Sequence, residues 1–215
     1  MKKTNYSLML SEGVVNAIDR EAARLGTNRS ALINRILAEY VSYVTPEMRA
    51  KEILSGVLAR LGGDFRTDAQ GEAMLSLSSS LAYRYHPTVR YSLELYRGGD
   101  RLGEIRVSMR TQNEALLRLF EAFALAFAAV ENRYLGDCEY TLADGRFSRV
   151  LRLRKEGGVS DMMTLDALGA LVARYVSMLD RALKLFCRYA SDATEARAAL
   201  DAVYRTYLSE AEVLL

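Results

Sequence analysis

Polar side chains near the start of this sequence have the types and spacing to read a nucleic acid. Asn5, Ser7 and Met9 are two residues apart, so in an extended segment they share one face. An amide and a hydroxyl can hydrogen-bond base edges in a DNA major groove, and a thioether can touch a thymine methyl. A second group, Asn28-Arg29-Ser30, sits where a helix should begin. The backbone N–H groups of such a first turn, at the positive end of the helix dipole, bind phosphate, and Arg29 and the Ser30 hydroxyl reinforce them. Lys2 and Lys3 add positive charge just ahead of the alternating segment. The pattern thus offers Asn5, Ser7 and Met9 for base reading, and Lys3, Asn28, Arg29 and Ser30 for phosphate.

Other chemistries find little to work with. The sequence has two cysteines, Cys138 and Cys187, and one histidine, His86, so a zinc cluster of the usual spacing cannot be assembled within it. A nucleophile-histidine arrangement would depend on His86, just before Pro87 in an expected strand-end turn. Asp137 and Glu139 would project the same way on a strand, but nothing else converges on them. No catalytic residue, metal site or cofactor is expected, and the chain does not read as an enzyme.

The elements that would position the first groups are legible. From Asn5 to Leu10 polar and apolar residues mostly alternate, with Tyr6, Leu8 and Leu10 on the face opposite Asn5, Ser7 and Met9, as in a half-buried strand. Ser11 is placed to cap a helix in which Val14, Ile18, Ala22 and Leu25 form an apolar stripe, and Gly26 is its expected left-handed stop. Asn28 caps a second helix with a wide apolar face, Leu32, Ile33, Ile36, Leu37, Tyr40, Val41 and Val44, closing before Pro46. One strand and two short helices bury too little surface to fold alone, so the module predicts a symmetric dimer with paired strands. Six basic residues (Lys2, Lys3, Arg20, Arg24, Arg29, Arg35) against four acidic ones (Glu12, Asp19, Glu21, Glu39) give residues 1–45 a charge of +2, equal to that of the whole chain.

Residues 46–215 read as a larger α+β unit. Pro46 opens a helix ending at Gly62-Gly63, and a polar loop follows. Alternation at Leu75–Tyr83, Val89–Leu95 and Ile105–Met109 predicts a three-stranded antiparallel meander. Asn113–Tyr134 is a long helix stopped by Gly136, and Asp144-Gly145 turns a second hairpin between Cys138–Leu142 and Phe147–Leu153. Two helices, from Asp161 to about Ala190 and from Thr194 to Glu212, complete the chain. Its arginines (Arg84, Arg90, Arg97, Arg101, Arg106, Arg110, Arg149, Arg152, Arg154, with Lys155) could form a second nucleic-acid surface. The acids Glu94, Asp100 and Glu104 among them favour a solvated strand face. Phe120, Phe123 and Phe127, at helical spacing, are expected in the core. At 215 residues, 50% apolar and 26% charged, the composition is that of a folded protein. No run of about 20 apolar residues spans a bilayer, and the start lacks a signal-peptide pattern, which together predict a cytoplasmic protein with no membrane partner.

The stretch KKTNYSLMLSEGVVNAIDREAARLGTNRSALINRILAEY resembles a ribbon-helix-helix DNA-binding domain of the CopG, Arc and MetJ kind over residues 1–44. The likeness lies in the alternating strand, the Leu-Ser-Glu entry to the first helix, the Leu-Gly turn and the Asn-Arg-Ser-Ala start of the second. It implies a homodimer, open to tetramer assembly, that reads double-stranded DNA with a two-stranded ribbon and represses transcription. The implied base readers fall on Asn5, Ser7 and Met9, and the phosphate clamp on Asn28, Arg29 and Ser30. Family members often carry a basic residue or threonine on the strand, so Met9 is a departure. The larger unit is left for oligomerisation, effector sensing or partner contact. An antitoxin, or a plasmid- or phage-type assembly factor gripping a protein partner through that unit, is the alternative.

Overall fold

The computed structural model describes residues 7–41, 43–83, 86–97, 100–153, 163–210 and 215. Its α+β chain divides into two compact units, Met1–Arg49 and Ala50–Leu215. No helix among the described residues is long and apolar enough to cross a membrane.

In the first unit, α1 (Glu12–Arg24) and α2 (Arg29–Tyr40) are joined by a tight turn. The amide of Thr27 donates to the Ala22 carbonyl and that of Gly26 to Ala23, with Gly26 at φ +62°, a left-handed stop that glycine adopts without strain. Asn28 caps α2 as expected, its side-chain oxygen accepting from the Ala31 amide at 2.9 Å. Ser11 starts α1 through its backbone oxygen, which accepts from Val14 and Val15; its side chain makes no cap bond. Two expectations need correction. Of the strand expected over Asn5–Leu10, Ser7–Leu10 are not in a strand, while Lys2, Lys3, Asn5 and Tyr6 lie outside the described residues. A strand is defined by its ladder partner, and Ser7–Leu10 have none among the described residues. Helix α2 stops at Tyr40 rather than continuing to Val44; the Val41 amide closes its last turn on Leu37.

The helix α3 (Pro46–Arg60) leads into a six-stranded antiparallel sheet ordered β1-β2-β3-β4-β6-β5. Its strands are β1 (Phe65–Gln70), β2 (Met74–Ser80), β3 (Thr88–Leu95), β4 (Arg101–Arg110), β5 (Tyr140–Ala143) and β6 (Arg146–Arg152). The expected three-strand meander thus has a fourth member, β1, in place of the polar loop. The second hairpin belongs to the same sheet, because β6 pairs with β4 in register Val107↔Phe147 and Ile105↔Arg149. Inward residues of the strands, such as Leu77, Tyr91, Val107 and Phe147, pack on α4 (Glu114–Leu135), α5 (Leu165–Arg188) and α6 (Ala193–Ser209) in one core. The last two helices are shorter than expected, and Asp161 and Glu212 lie outside the described residues. Phe120, Phe123 and Phe127 of α4 are fully buried, Phe123 edge-on to Phe186 and Phe127 edge-on to Phe147. Where α5 crosses α3, a Cβ on Gly169 would lie 2.9 Å from the Gly56 Cα, so the backbones can meet only at glycine.

Candidate nucleic-acid interface

The first unit leaves its apolar surface largely uncovered. Among the described residues its buried apolar side chains are Ala22, Leu32 and Ala38, whereas Leu8, Leu10, Val14, Leu25, Ile36, Leu37, Tyr40 and Val41 are all exposed. Met9 is fully solvent-exposed (102%) and Leu8 is 60% exposed, so neither face of Ser7–Leu10 has yet found a partner. Eleven of the fifteen large apolar side chains exposed among the described residues fall within the first 44 positions. So many exposed large apolar side chains in one short segment are unusual for a unit whose core is complete.

At the start of α2, the side chain of Arg29, expected to reinforce a phosphate site, is engaged within the chain. Arg29 donates to Asp19 of α1 through Nε at 2.6 Å and also through Nη2, a two-pronged ion pair on the surface. The hydrogen bond from Arg29 holds the Asp19 carboxyl below its ordinary range. Arg24 pairs with Glu21 in the same way. Asn28 and Ser30 are exposed, with the Asn28 side chain committed to the cap. Arg29 and Ser30 therefore lie together at the helix start. Asn5 and Lys3 fall outside the described residues, and Ser7 and Met9 are exposed ahead of α1.

Several of the strand arginines of the second unit are matched with acids. Arg90 pairs with Asp68, Arg106 with Glu94 and Glu104, Arg101 with Glu139, and Arg152 with Asp100 and Glu139. A carpet of paired charges is a solvated face rather than a phosphate track. Arg84, Arg154 and Lys155 lie outside the described residues.

Arg149 departs from that set altogether, because it is 1% exposed and ion-paired with a fully buried Glu131. Around the carboxylate of Glu131 gather hydroxyl donors from Tyr140 (2.5 Å), Tyr175 (3.1 Å) and Tyr204 (3.1 Å), with Arg149 Nε at 3.2 Å. The guanidinium also donates to the backbone oxygen of Leu215 at 2.6 Å and lies over the Tyr175 ring, 5.1 Å from its centre. Burial, and then the Glu131 charge, push the Tyr140, Tyr175 and Tyr204 phenols up from their ordinary value. A second buried group joins Tyr91 to Asp180 at 2.9 Å, with Lys184 on the other carboxylate oxygen at 2.7 Å. Neither group was singled out from the sequence, although the signal was there. Arg149 has the same strand parity as Phe147 and Leu151, and Glu131 follows Phe127 by one helical turn. Every hydroxyl named here is directed at the carboxylate, so the arrangement is a satisfied internal network.

Comparison of the chain with protein-family models, with curated proteins and with solved structures returned no match.

Proposed function

We propose that the chain is a sequence-specific DNA-binding transcription regulator, a repressor that acts as a homodimer through residues 1–44. The observation that carries the reading is the uncovered apolar surface of the first unit, where Leu8, Leu10, Val14, Ile36 and Leu37 remain exposed beside a small core. A second copy would cover that surface and bring two Ser7–Leu10 segments side by side, the pairing that a two-stranded ribbon in a major groove requires. The capped start of α2, with Arg29 and Ser30, would then bind phosphate on either side.

Selecting duplexes from a random pool with the purified protein tests the reading. The expected product is a pseudo-palindrome whose half-sites repeat at the dimer spacing. Asn5→Ala or Ser7→Ala should relax base preference by about 1–3 kcal/mol at one position. Arg29→Ala should weaken all sequences alike and lower the salt slope by about one. Enrichment of no motif, with unchanged affinity in all three variants, overturns the assignment.

One observation favours a second reading. Arg29 is already clasped by Asp19, so the first unit could serve as a dimerisation arm for a protein-binding factor of the antitoxin or assembly type. Asp19→Asn separates the two, because freeing Arg29 strengthens DNA binding in the first case and changes none in the second.

A further inference from the structure

Between α4 and α6 runs an open groove of about 710 Å³ whose floor is almost all small and apolar: Ala122, Leu125, Ala126, Ala129 and Val130 from one helix and Ala198 from the other. Its rim carries Arg133, Arg197 and Arg205 against a single acid, Asp201. That acid is mostly covered and orders two of the cations, with Arg205 Nη2 at 2.8 Å and Arg133 Nη1 at 3.4 Å, while Tyr134 donates to it at 3.0 Å. Both guanidiniums remain about two-thirds exposed, and Leu125 is 64% exposed. The groove therefore joins an uncovered apolar floor to a net positive edge held in place by its own carboxylate.

We propose that this groove docks an amphipathic helix with an acidic flank, supplied by a partner protein. Alanines at 122, 126 and 129 recur at the four- and three-residue steps of one helix face, where small side chains let another helix approach to roughly 8–10 Å. From Ala122 to Arg133 the floor runs roughly 17 Å at the helical rise, which matches about three turns of an occupant. Exposure of Ala122, Leu125, Ala129 and Ala198 leaves the trough open along one side, so an acyl chain would stay half in water, whereas a helix turns its polar face outward there. The excess of guanidinium selects carboxylates on the occupant's flank, since planar bidentate pairing suits Arg and aspartate or glutamate. All of these residues belong to the second unit, so the proposal stands or falls independently of DNA binding.

The test is selection from a displayed library of helical peptides against the full-length protein. Sequences with apolar residues at i, i+3 or i+4, and i+7 and with Asp or Glu beside them should be enriched. A selected peptide should lose affinity about tenfold in Arg197→Glu and again in Ala122→Arg, both at exposed positions and both checked for unchanged circular dichroism, and should bind more weakly as salt rises. Enrichment of basic or neutral sequences, or equal affinity for the variants, overturns the proposal. So does sedimentation in which Ala122→Arg alone breaks up a self-associated protein, which would make a second copy the occupant, or saturable displacement of the peptide by oleate, which would make it an acyl anion.

Discussion

Replacing Glu131 with Gln should be among the most damaging single changes in the second unit. The carboxylate accepts from three tyrosine hydroxyls and from Arg149, all inside a core where Glu131 is 0% and Arg149 1% exposed. A glutamine keeps one acceptor oxygen and turns an NH2 towards donors. The phenols can rotate to accept from it; the guanidinium, which has no acceptor, cannot. Arg149 is then left as a buried cation with no charged side chain on it, held by the oxygens of Leu215 and Val150, the Cys138 sulfur and the face of the Tyr175 ring. Breaking a buried pair from one side costs about 3–5 kcal/mol, a large part of the roughly 5–15 kcal/mol that holds a domain folded. Arg149→Met should cost less, because the remaining carboxylate still has three hydroxyl donors. The double variant should be less destabilised than the two single costs added, by about 0.5–3 kcal/mol of coupling. Urea unfolding followed by circular dichroism measures all four proteins, with m-values checked for constancy. A loss below about 1 kcal/mol for Glu131→Gln, or additive single costs, would falsify the account of this pair as a coupled network.

Four further outcomes follow from particular groups. Burial pushes the Cys187 thiol and the Tyr207 phenol up to about 12, above ordinary values of about 8.5 and 10, so the folded state holds their protons more tightly than the unfolded chain does. Their contribution to stability is complete below the unfolded values and fades as pH climbs from about 9 to 12, so the last part of the tyrosinate absorbance, from buried phenols, should rise together with loss of helix; full ionisation with the helices intact would contradict it. Gly169→Ala forces its Cβ against the Gly56 Cα and the Ile53 carbonyl at 2.9 Å and should destabilise by about 1–3 kcal/mol in thermal unfolding, with a neutral result showing that α3 and α5 yield freely. Asn28→Ala removes the acceptor for the Ala31 amide and should cost α2 about 1 kcal/mol, while Asn28→Ser restores the cap, as melting curves would reveal. Leu37→Glu places a charge on the uncovered face of α2 and should convert a dimer to a monomer in sedimentation, with DNA affinity lost alongside; a dimer that survives it places the contact elsewhere.

Much of the architecture was readable because local rules and burial agree. The cap at Asn28, the glycine stops at Gly26 and Gly136 and the Asp144-Gly145 turn all stand where residue type demands. The failures have physical causes. Strand β1, Phe-Arg-Thr-Asp-Ala-Gln, lies at the sheet edge with five of six residues exposed, so it has no apolar alternation to detect. Its place is fixed by pairing with β2, between residues five to fourteen positions apart, and by Asp68, which accepts from Ser78 at 3.0 Å. Arg149 was grouped with surface arginines by composition, and only strand parity together with an acid on another element reveals it as a core residue. The groove between α4 and α6 joins residues some 70 positions apart, and no spacing within either helix announces it.

The two units differ in where their apolar surface goes, and that difference decides how each can act. The second closes its core within one chain, with Phe120, Tyr91, Leu179 and Leu200 fully buried, so what it binds is set by sites on its surface. Uncovered side chains such as Leu8, Ile36 and Leu37 make the first unit's stability depend on protein concentration if a second copy covers them, as for any fold completed by association. DNA would then be bound by a species whose abundance rises with the square of protomer concentration when monomers predominate. A partner helix held in the α4–α6 groove of each protomer could raise that abundance if it brings two chains together, and lower it if it keeps them apart. Coupling between the two would appear as a shift in the DNA-binding midpoint on adding the groove peptide, reciprocated by a shift in peptide affinity on adding operator. Equal affinities in both directions would mean that the units act independently.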